Sequence, residues 1–204
     1  GQAPFKDILI HATVLTKDGR RMSKSLGTGI NPLELIEKYG ADAVRFGLAY
    51  QTTALQDMRF NEDVILMGQK FANKFWNIAR FILIKTGEQM PAEISQTSFE
   101  AGTEEQSLLD KLNATTKRVT ENIARYKFSE AAHALYDFIW HDFADKYIEY
   151  SKDKETDNVK TVLSHTLLTC LKLLHPFMPF FTEEIYSNLP LKNKKGLLVE
   201  DWPS

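Results

Sequence analysis

From Asn61 onward, apolar residues recur at three- and four-residue spacings, and the pattern predicts helices near 62–86, 104–126, 130–152, 157–175 and 180–189. Asn61, Thr103, Ser129 and Thr156 or Asp157 stand where N-caps are expected, and Gly87 where a helix should stop. Residues 88–102 read as a polar connector. The run His175-Pro176-Phe177-Met178-Pro179-Phe180 separates the fourth of these helices from the fifth. The front of the chain has a different texture. Residues 7–15, Asp-Ile-Leu-Ile-His-Ala-Thr-Val-Leu, predict a short, largely buried strand, and Lys17-Asp18-Gly19-Arg20 predicts a turn. Asn31-Pro32 predicts a helix start, with a helix through Tyr39, a stop at Gly40 and a second helix over Ala41–Tyr50. A polar, non-periodic stretch at 51–60 follows. The expected fold is therefore mainly α: an antiparallel helical bundle over residues 56–204, preceded by a small strand-plus-loop unit over residues 1–55.

Composition narrows the class. With 204 residues, 43% hydrophobic and 25% charged, the chain can bury a real core and is not of the disordered kind. Its formal net charge is −2, so any nucleic-acid surface must be a local patch. Cys170 is the single cysteine, which excludes an intramolecular disulfide and a cysteine-rich zinc site; no metal site is expected. Its setting, Leu167-Leu168-Thr169-Cys170-Leu171, predicts a buried thiol in a reducing compartment. No apolar run reaches the ~18 residues of a membrane span, and a cytoplasmic location is expected. The opening Gly1-Gln2-Ala3-Pro4-Phe5, running straight into a strand pattern, is that expected of a piece of a longer chain.

Candidate chemistry gathers in two places. Residues 20–29, Arg-Arg-Met-Ser-Lys-Ser-Leu-Gly-Thr-Gly, form a polar loop between a strand pattern and a helix start. Such a loop can turn backbone N–H groups, hydroxyls and an ammonium onto a polyphosphate. The second place is the helix at 62–86. At 100° per residue Val64, Phe71, Phe75, Ile78 and Ile82 share one face, flanked by Ala72, Trp76, Ala79 and Leu83, and all are expected to bury. The opposite face collects Lys70, Asn73, Lys74, Asn77, Arg80 and Lys85. Phe81 breaks the pattern by projecting into that polar face. Two readings stay open: the ring packs beneath a neighbouring element, or it stacks on an unstacked RNA base while amides read edges and cations hold phosphates. Tyr136, Trp140, Phe143 and Tyr147 share a helix face and are expected in the core, with Asp142 and Lys146 a surface ion pair and His175 a helix-end histidine.

At four of five positions Arg21-Met22-Ser23-Lys24-Ser25 resembles the Lys-Met-Ser-Lys-Ser signature loop of class I aminoacyl-tRNA synthetases. Arg21 departs from it, keeping the charge in a planar, forked shape. The likeness continues in order along the chain and is to the valyl branch. It is carried by Pro4-Phe5-Lys6-Asp7 leading to His11 and Asp18-Gly19-Arg20, by Lys38-Tyr39-Gly40-Ala41-Asp42-Ala43-Val44-Arg45-Phe46 and by Gln56-Asp57-Met58-Arg59-Phe60. Phe71-Ala72-Asn73-Lys74-Phe75-Trp76-Asn77-Ile78-Ala79-Arg80-Phe81, Trp140 to Glu149 and His175 to Tyr186 extend it.

The resemblance implies a valine–tRNA ligase segment that supplies an ATP-phosphate loop and an anticodon-binding bundle. It implies Lys24 as catalytic residue, with Arg21, Met22, Ser23, Lys24 and Ser25 at ATP and Met22 near the adenine. It places Lys70, Asn73, Lys74, Asn77, Arg80 and Phe81 at tRNA-Val, with valine and ATP as substrates and Mg2+ accompanying ATP. The family's His-x-Gly-His motif, editing domain and coiled-coil arm have no counterpart here, so the segment alone is expected to be inactive. Two alternatives stand beside this reading: the same region of an isoleucyl or leucyl enzyme, against which Asn73-Lys74-Phe75-Trp76-Asn77 argues, and a helical protein-interaction module without an RNA role.

Overall fold

Local signals at the helix ends explain where the helices begin and stop. In the computed structural model, which describes residues 4–23, 25, 27–52, 56–87, 90, 103–192 and 194–203, α1 (Pro32–Tyr39) starts where Asn31 Oδ1 accepts from Leu33 N at 3.1 Å. Gly40, at φ 88°, ends α1 and α2 (Ala41–Gln51) follows at once. Asn61 caps α3 (Glu62–Thr86), which Gly87 closes at φ 62°. Thr103 caps α4 (Glu104–Ala124), and Thr156 caps α7 (Asp157–Leu174). Each such cap satisfies an amide that the helix leaves unpaired.

Two ends depart from expectation. Ser129 is not a cap: α5 (Phe128–Asp137) has begun before it, and its hydroxyl donates to Tyr50 O at 2.8 Å, tying α5 to α2. The N-terminus of α8 (Pro179–Asn188) has no cap of its own. The amides of Phe180 and Phe181 instead donate to the carboxylate of Asp42, on α2.

Between α5 and α6 (Glu149–Ser151), residues Phe138–Ile148 form a π-helix, and the backbone stays right-handed across both joints. With i→i+5 bonding, residues five apart stand on one side. Phe138, Phe143 and Ile148 accordingly all bury, whereas Tyr136 and Trp140, expected in the core with Phe143 and Tyr147, are half-buried.

The front departs more. Strand β1 is only Val14–Leu15, and Ile8 and Ile10 of the expected buried strand are 84% and 77% exposed. A strand buries its side chains only when neighbours cover them, and residues 7–12 have no pairing partner among the described residues. The supposedly featureless stretch 51–60 holds β2 (Met58–Arg59), which pairs parallel with β1, Val14 opposite Met58 and Leu15 opposite Arg59.

Helix α2 joins the front to the bundle. Its Phe46 lies in the main core with Phe71, Phe75, Leu112, Leu135, Phe143, Leu163 and Leu167. Its Ala43 and Val44 lie in a smaller cluster with Leu35, Phe60 and Ile65. The α2–α3 approach is close. A Cβ on Gly47 would stand 2.5 Å from Ile65 Cδ1, and one on Gly68 would stand 3.0 Å from Ala43 O.

Candidate functional site

The loop begins on a secured stem. Arg21 forms an isolated antiparallel bridge to Leu15, continuing the little sheet, and its side chain is exposed. Thr28 then closes the loop upon itself: Ser23 N donates to Thr28 Oγ1 at 2.9 Å and Thr28 N to Ser23 O at 3.1 Å. The hydroxyls of Ser23 and Ser25 meet at 2.8 Å. Gly27 supplies the left-handed turn, at φ 64°. Met22 packs against the smaller cluster and so anchors the loop on α1, α2 and α3. Lys24, the residue expected to carry the chemistry, lies outside the described residues. Of the other loop candidates, the structure brings Ser23 and Ser25 together and leaves Arg21 presented to solvent.

The second candidate surface is the polar face of α3. Lys70, Asn73, Asn77 and Arg80 are exposed, spaced three, four and three apart, and so form one stripe. Asn77 Nδ2 donates to Asn73 O at 3.0 Å, a bond that uses the NH2 group and not the carbonyl oxygen of the amide. Lys74 is engaged by the bundle. Its ammonium lies 2.6 Å from Asp145 and 3.9 Å from the centre of the Trp140 ring. The π-helix makes this double contact possible, because Trp140 and Asp145 are five residues apart. The hydrogen bond from Lys74 holds the Asp145 carboxyl below its usual range.

Phe81 is half-buried and packs against the main core, and Lys85 Nζ lies 5.8 Å from its ring centre. Lys85 itself is nearly enclosed. It pairs with Glu155 at 2.8 Å and donates to Lys152 O at 3.2 Å, so its charge is spent within the protein.

Sequence reasoning passed over two features of the same surface. Trp76, assigned to the buried flank, is 42% exposed beside Phe181. It neighbours Asn73 and Arg80 at the helix spacings i−3 and i+4. Ile84, 73% exposed, continues the stripe one turn beyond Arg80. Its angle on the helix, between Asn73 and Asn77, was computable from the sequence and would have found it.

A single helix connects the two candidate surfaces. The loop unit sits on the first turns of α3, where Lys38 pairs with Glu62 at 2.8 Å and Gln69 Nε2 donates to Tyr39 O at 3.4 Å. From Gly68 to Arg80 the helix then advances about 18 Å. On the far side of α2 an apolar groove of about 410 Å³ is lined by Leu48, Ile123, Phe128 and Phe177, with Arg45 at its edge.

Comparison with known proteins gives two family matches, with residues 62–104 in neither. Residues 105–204 match the anticodon-binding domain of tRNA ligase, and residues 1–61 match the tRNA synthetases class I (I, L, M and V). The chain is 42% identical over 211 residues to a valine–tRNA ligase of Bacillus cereus, and 40% identical over 211 residues to one of Bacillus subtilis. It is 40% identical over 210 residues to one of Listeria innocua. Each alignment takes in 100% of this chain and 24% of the relative, so the chain spans about a quarter of the length of these relatives. Among solved structures, a LeuRS from Agrobacterium radiobacter, in a ternary complex with tRNA and LeuAMS, superposes with a TM-score of 0.78 at 23% identity. That match covers 95% of this chain and 23% of the other, and it establishes the likeness of fold.

Proposed function

This chain belongs to the class I tRNA synthetase family, and on that premise we propose that it is the part of a valine–tRNA ligase that supplies the ATP-phosphate loop and the anticodon-reading bundle. The observation that carries this reading is the likeness to valine–tRNA ligases over 100% of the chain, with the loop and the bundle in the same order. The division of labour falls between residues 1–55 and 56–204.

In the whole enzyme a carboxylate oxygen of valine attacks the α-phosphorus of ATP, giving valyl-adenylate and pyrophosphate. The tRNA 3′ end then takes the valyl group and releases AMP. Negative charge grows on the departing pyrophosphate, so a cation aimed there stabilises the transition state more than the ground state. Lys24 has that role. Its four-carbon stem lets the ammonium follow the phosphates as they part. Arg21, exposed at the loop's entry, adds a second cation, and Ser23 and Ser25 exchange their mutual hydrogen bond for bonds to phosphate oxygens. Mg2+ enters as the counterion of ATP; no residue of this chain is assigned to hold it, and no step depends on one.

On the bundle, Lys70 and Arg80 hold the RNA backbone while Asn73 and Asn77 read base edges. Phe81 and Trp76 offer rings on either side of that stripe, Trp76 being the more open. Lys74 acts from beneath, fixing the α3 surface against the π-helix.

Binding of tRNA-Val transcripts to this chain, native and anticodon-substituted, across a salt series tests the reading. The expected result is binding that weakens on anticodon substitution beyond the salt-dependent background. Equal affinity for both transcripts would remove the anticodon assignment. In the whole enzyme, Lys24→Ala is expected to slow valine-dependent ATP–pyrophosphate exchange by about a hundredfold or more; an unchanged rate would remove Lys24 from the chemistry.

A further inference from the structure

Helix α2 grips the turn between α7 and α8 with opposite charges placed one helical turn apart. Asp42, 8% exposed, takes the first free amides of α8, those of Phe180 and Phe181. Arg45 Nη2 donates to Pro176 O at 3.0 Å, on the other side of the same turn. The signs match the partners: a carboxylate meets helix N-terminal amides, and a guanidinium meets a carbonyl that has just left a helix. The turn is stiffened from within. His175 Nδ1 and Thr182 Oγ1 lie 2.8 Å apart, and Thr182 Oγ1 donates to Met178 O at 2.8 Å. The Asp42 and Arg45 contacts join residues 131 to 139 positions apart in sequence.

Their placement matters. The loop unit already rests on α3 along the close Gly47–Ile65 and Gly68–Ala43 approach. α2 also buries Phe46 in the main core and is tied to α5 by the Ser129 hydroxyl on Tyr50 O. The Asp42 and Arg45 contacts add a further, polar point of attachment at the α7–α8 turn, and with it the angle of the unit is set at the end of α2 nearest the loop. We propose that Asp42 is a positioning residue, which with Arg45 locks the ATP-loop unit at a fixed angle to the tRNA-reading bundle so that one tRNA can engage both. This inference rests on the ligase reading above.

The two half-reactions separate its consequences. Amino-acid activation uses the loop side alone, whereas charging needs the loop side and the bundle placed correctly on one tRNA. Loosening the clamp therefore lowers the effective concentration of the tRNA 3′ end at the active site and leaves adenylate formation alone.

The test uses the whole enzyme, with valine-dependent ATP–pyrophosphate exchange, tRNA-Val charging and thermal unfolding followed for the wild type, Asp42→Ala, Asp42→Asn and Arg45→Ala. Asp42→Ala is expected to lower charging kcat/KM for tRNA about tenfold while exchange stays within about twofold. Asp42→Asn keeps one of the two accepting oxygens but sets an NH2 group against the other α8 amide, and is expected to restore part of the charging. Arg45→Ala, at an exposed position, is expected to lower charging alone, by about threefold. Unchanged charging in Arg45→Ala and Asp42→Ala, or exchange and charging falling in step in Arg45→Ala, overturns the proposal and leaves the ligase reading standing. A wild-type enzyme without valine-dependent exchange overturns both.

Discussion

Residues 7–12 and the core face of α3 are equally apolar to the eye, yet they meet opposite fates. Ile8, Leu9 and Ile10 stand in solvent, while Phe71, Phe75, Ile78 and Ile82 are buried against four other helices. The difference is whether the partner surface lies within the chain. A helix satisfies its own backbone and needs only apolar neighbours, which α2, α7, α8 and the π-helix provide. A strand needs another strand on its edge and a layer on each face. β2 provides two residues of pairing for β1 and none for residues 7–12 among the described residues.

The largest effect that would sharpen this contrast is a pair of substitutions. Phe75→Ala in the bundle is expected to cost about 3–5 kcal/mol of unfolding free energy, because a fully buried ring leaves a cavity that rigid neighbours cannot fill. Ile8→Ser at the front is expected to change it by no more than about 0.5 kcal/mol. Urea denaturation of this chain followed by far-UV circular dichroism reads both. A large loss in Ile8→Ser would break the comparison by showing that the front segment is held by contacts of its own.

The same contrast explains what could be read from the sequence. The helices at 62–86, 104–126 and 157–175 were legible because caps such as Asn61, Thr103 and Thr156 and a 3.6-residue period are local signals. So was the signature loop, since its residue types stand side by side. The cap on α8 was not legible, because Asp42 lies 138 residues before Phe180. The π-helix was hidden for another reason. A 100° projection assumes the geometry it is meant to detect, so Trp140 fell in with the core and its pairing with Asp145 around Lys74 went unseen. Trp76 was misplaced because a flank position is decided by how far the neighbouring helix reaches, and Phe181 covers only part of it.

A smaller effect probes the bundle from inside. Tyr147 is buried in the π-helix, and its hydroxyl has no hydrogen-bond partner among the described residues. An orphaned buried hydroxyl costs the desolvation of that group without a bond in return. Tyr147→Phe removes the oxygen and keeps the ring. It is expected to raise stability by about 1 kcal/mol, an unusual sign for a core substitution. A loss of stability of that size in the same denaturation experiment would mean that the hydroxyl has a partner in solution. The burial argument, which sets the bundle apart from the front segment, would then need that bond added.

The smallest effect concerns charge. Helix α7 is the most enclosed of the bundle, with twelve of its 18 residues buried, and His165 sits half-buried on it. Burial disfavours the imidazolium, so the His165 pKa is pushed below the ordinary value of 6.5. The sign of the consequence follows from which state binds the proton first. Below about pH 6.5 the unfolded chain protonates while the folded chain resists, so stability contributed above that pH is lost as the pH falls through the depressed folded value. His165→Gln removes the proton site from both states. Its unfolding midpoint is therefore expected to fall less than the wild type's between pH 7 and pH 5, by a margin of a few degrees or less. Identical slopes for the two proteins would show that water reaches the ring freely, and that the enclosure separating bundle from front does not extend to this position on α7.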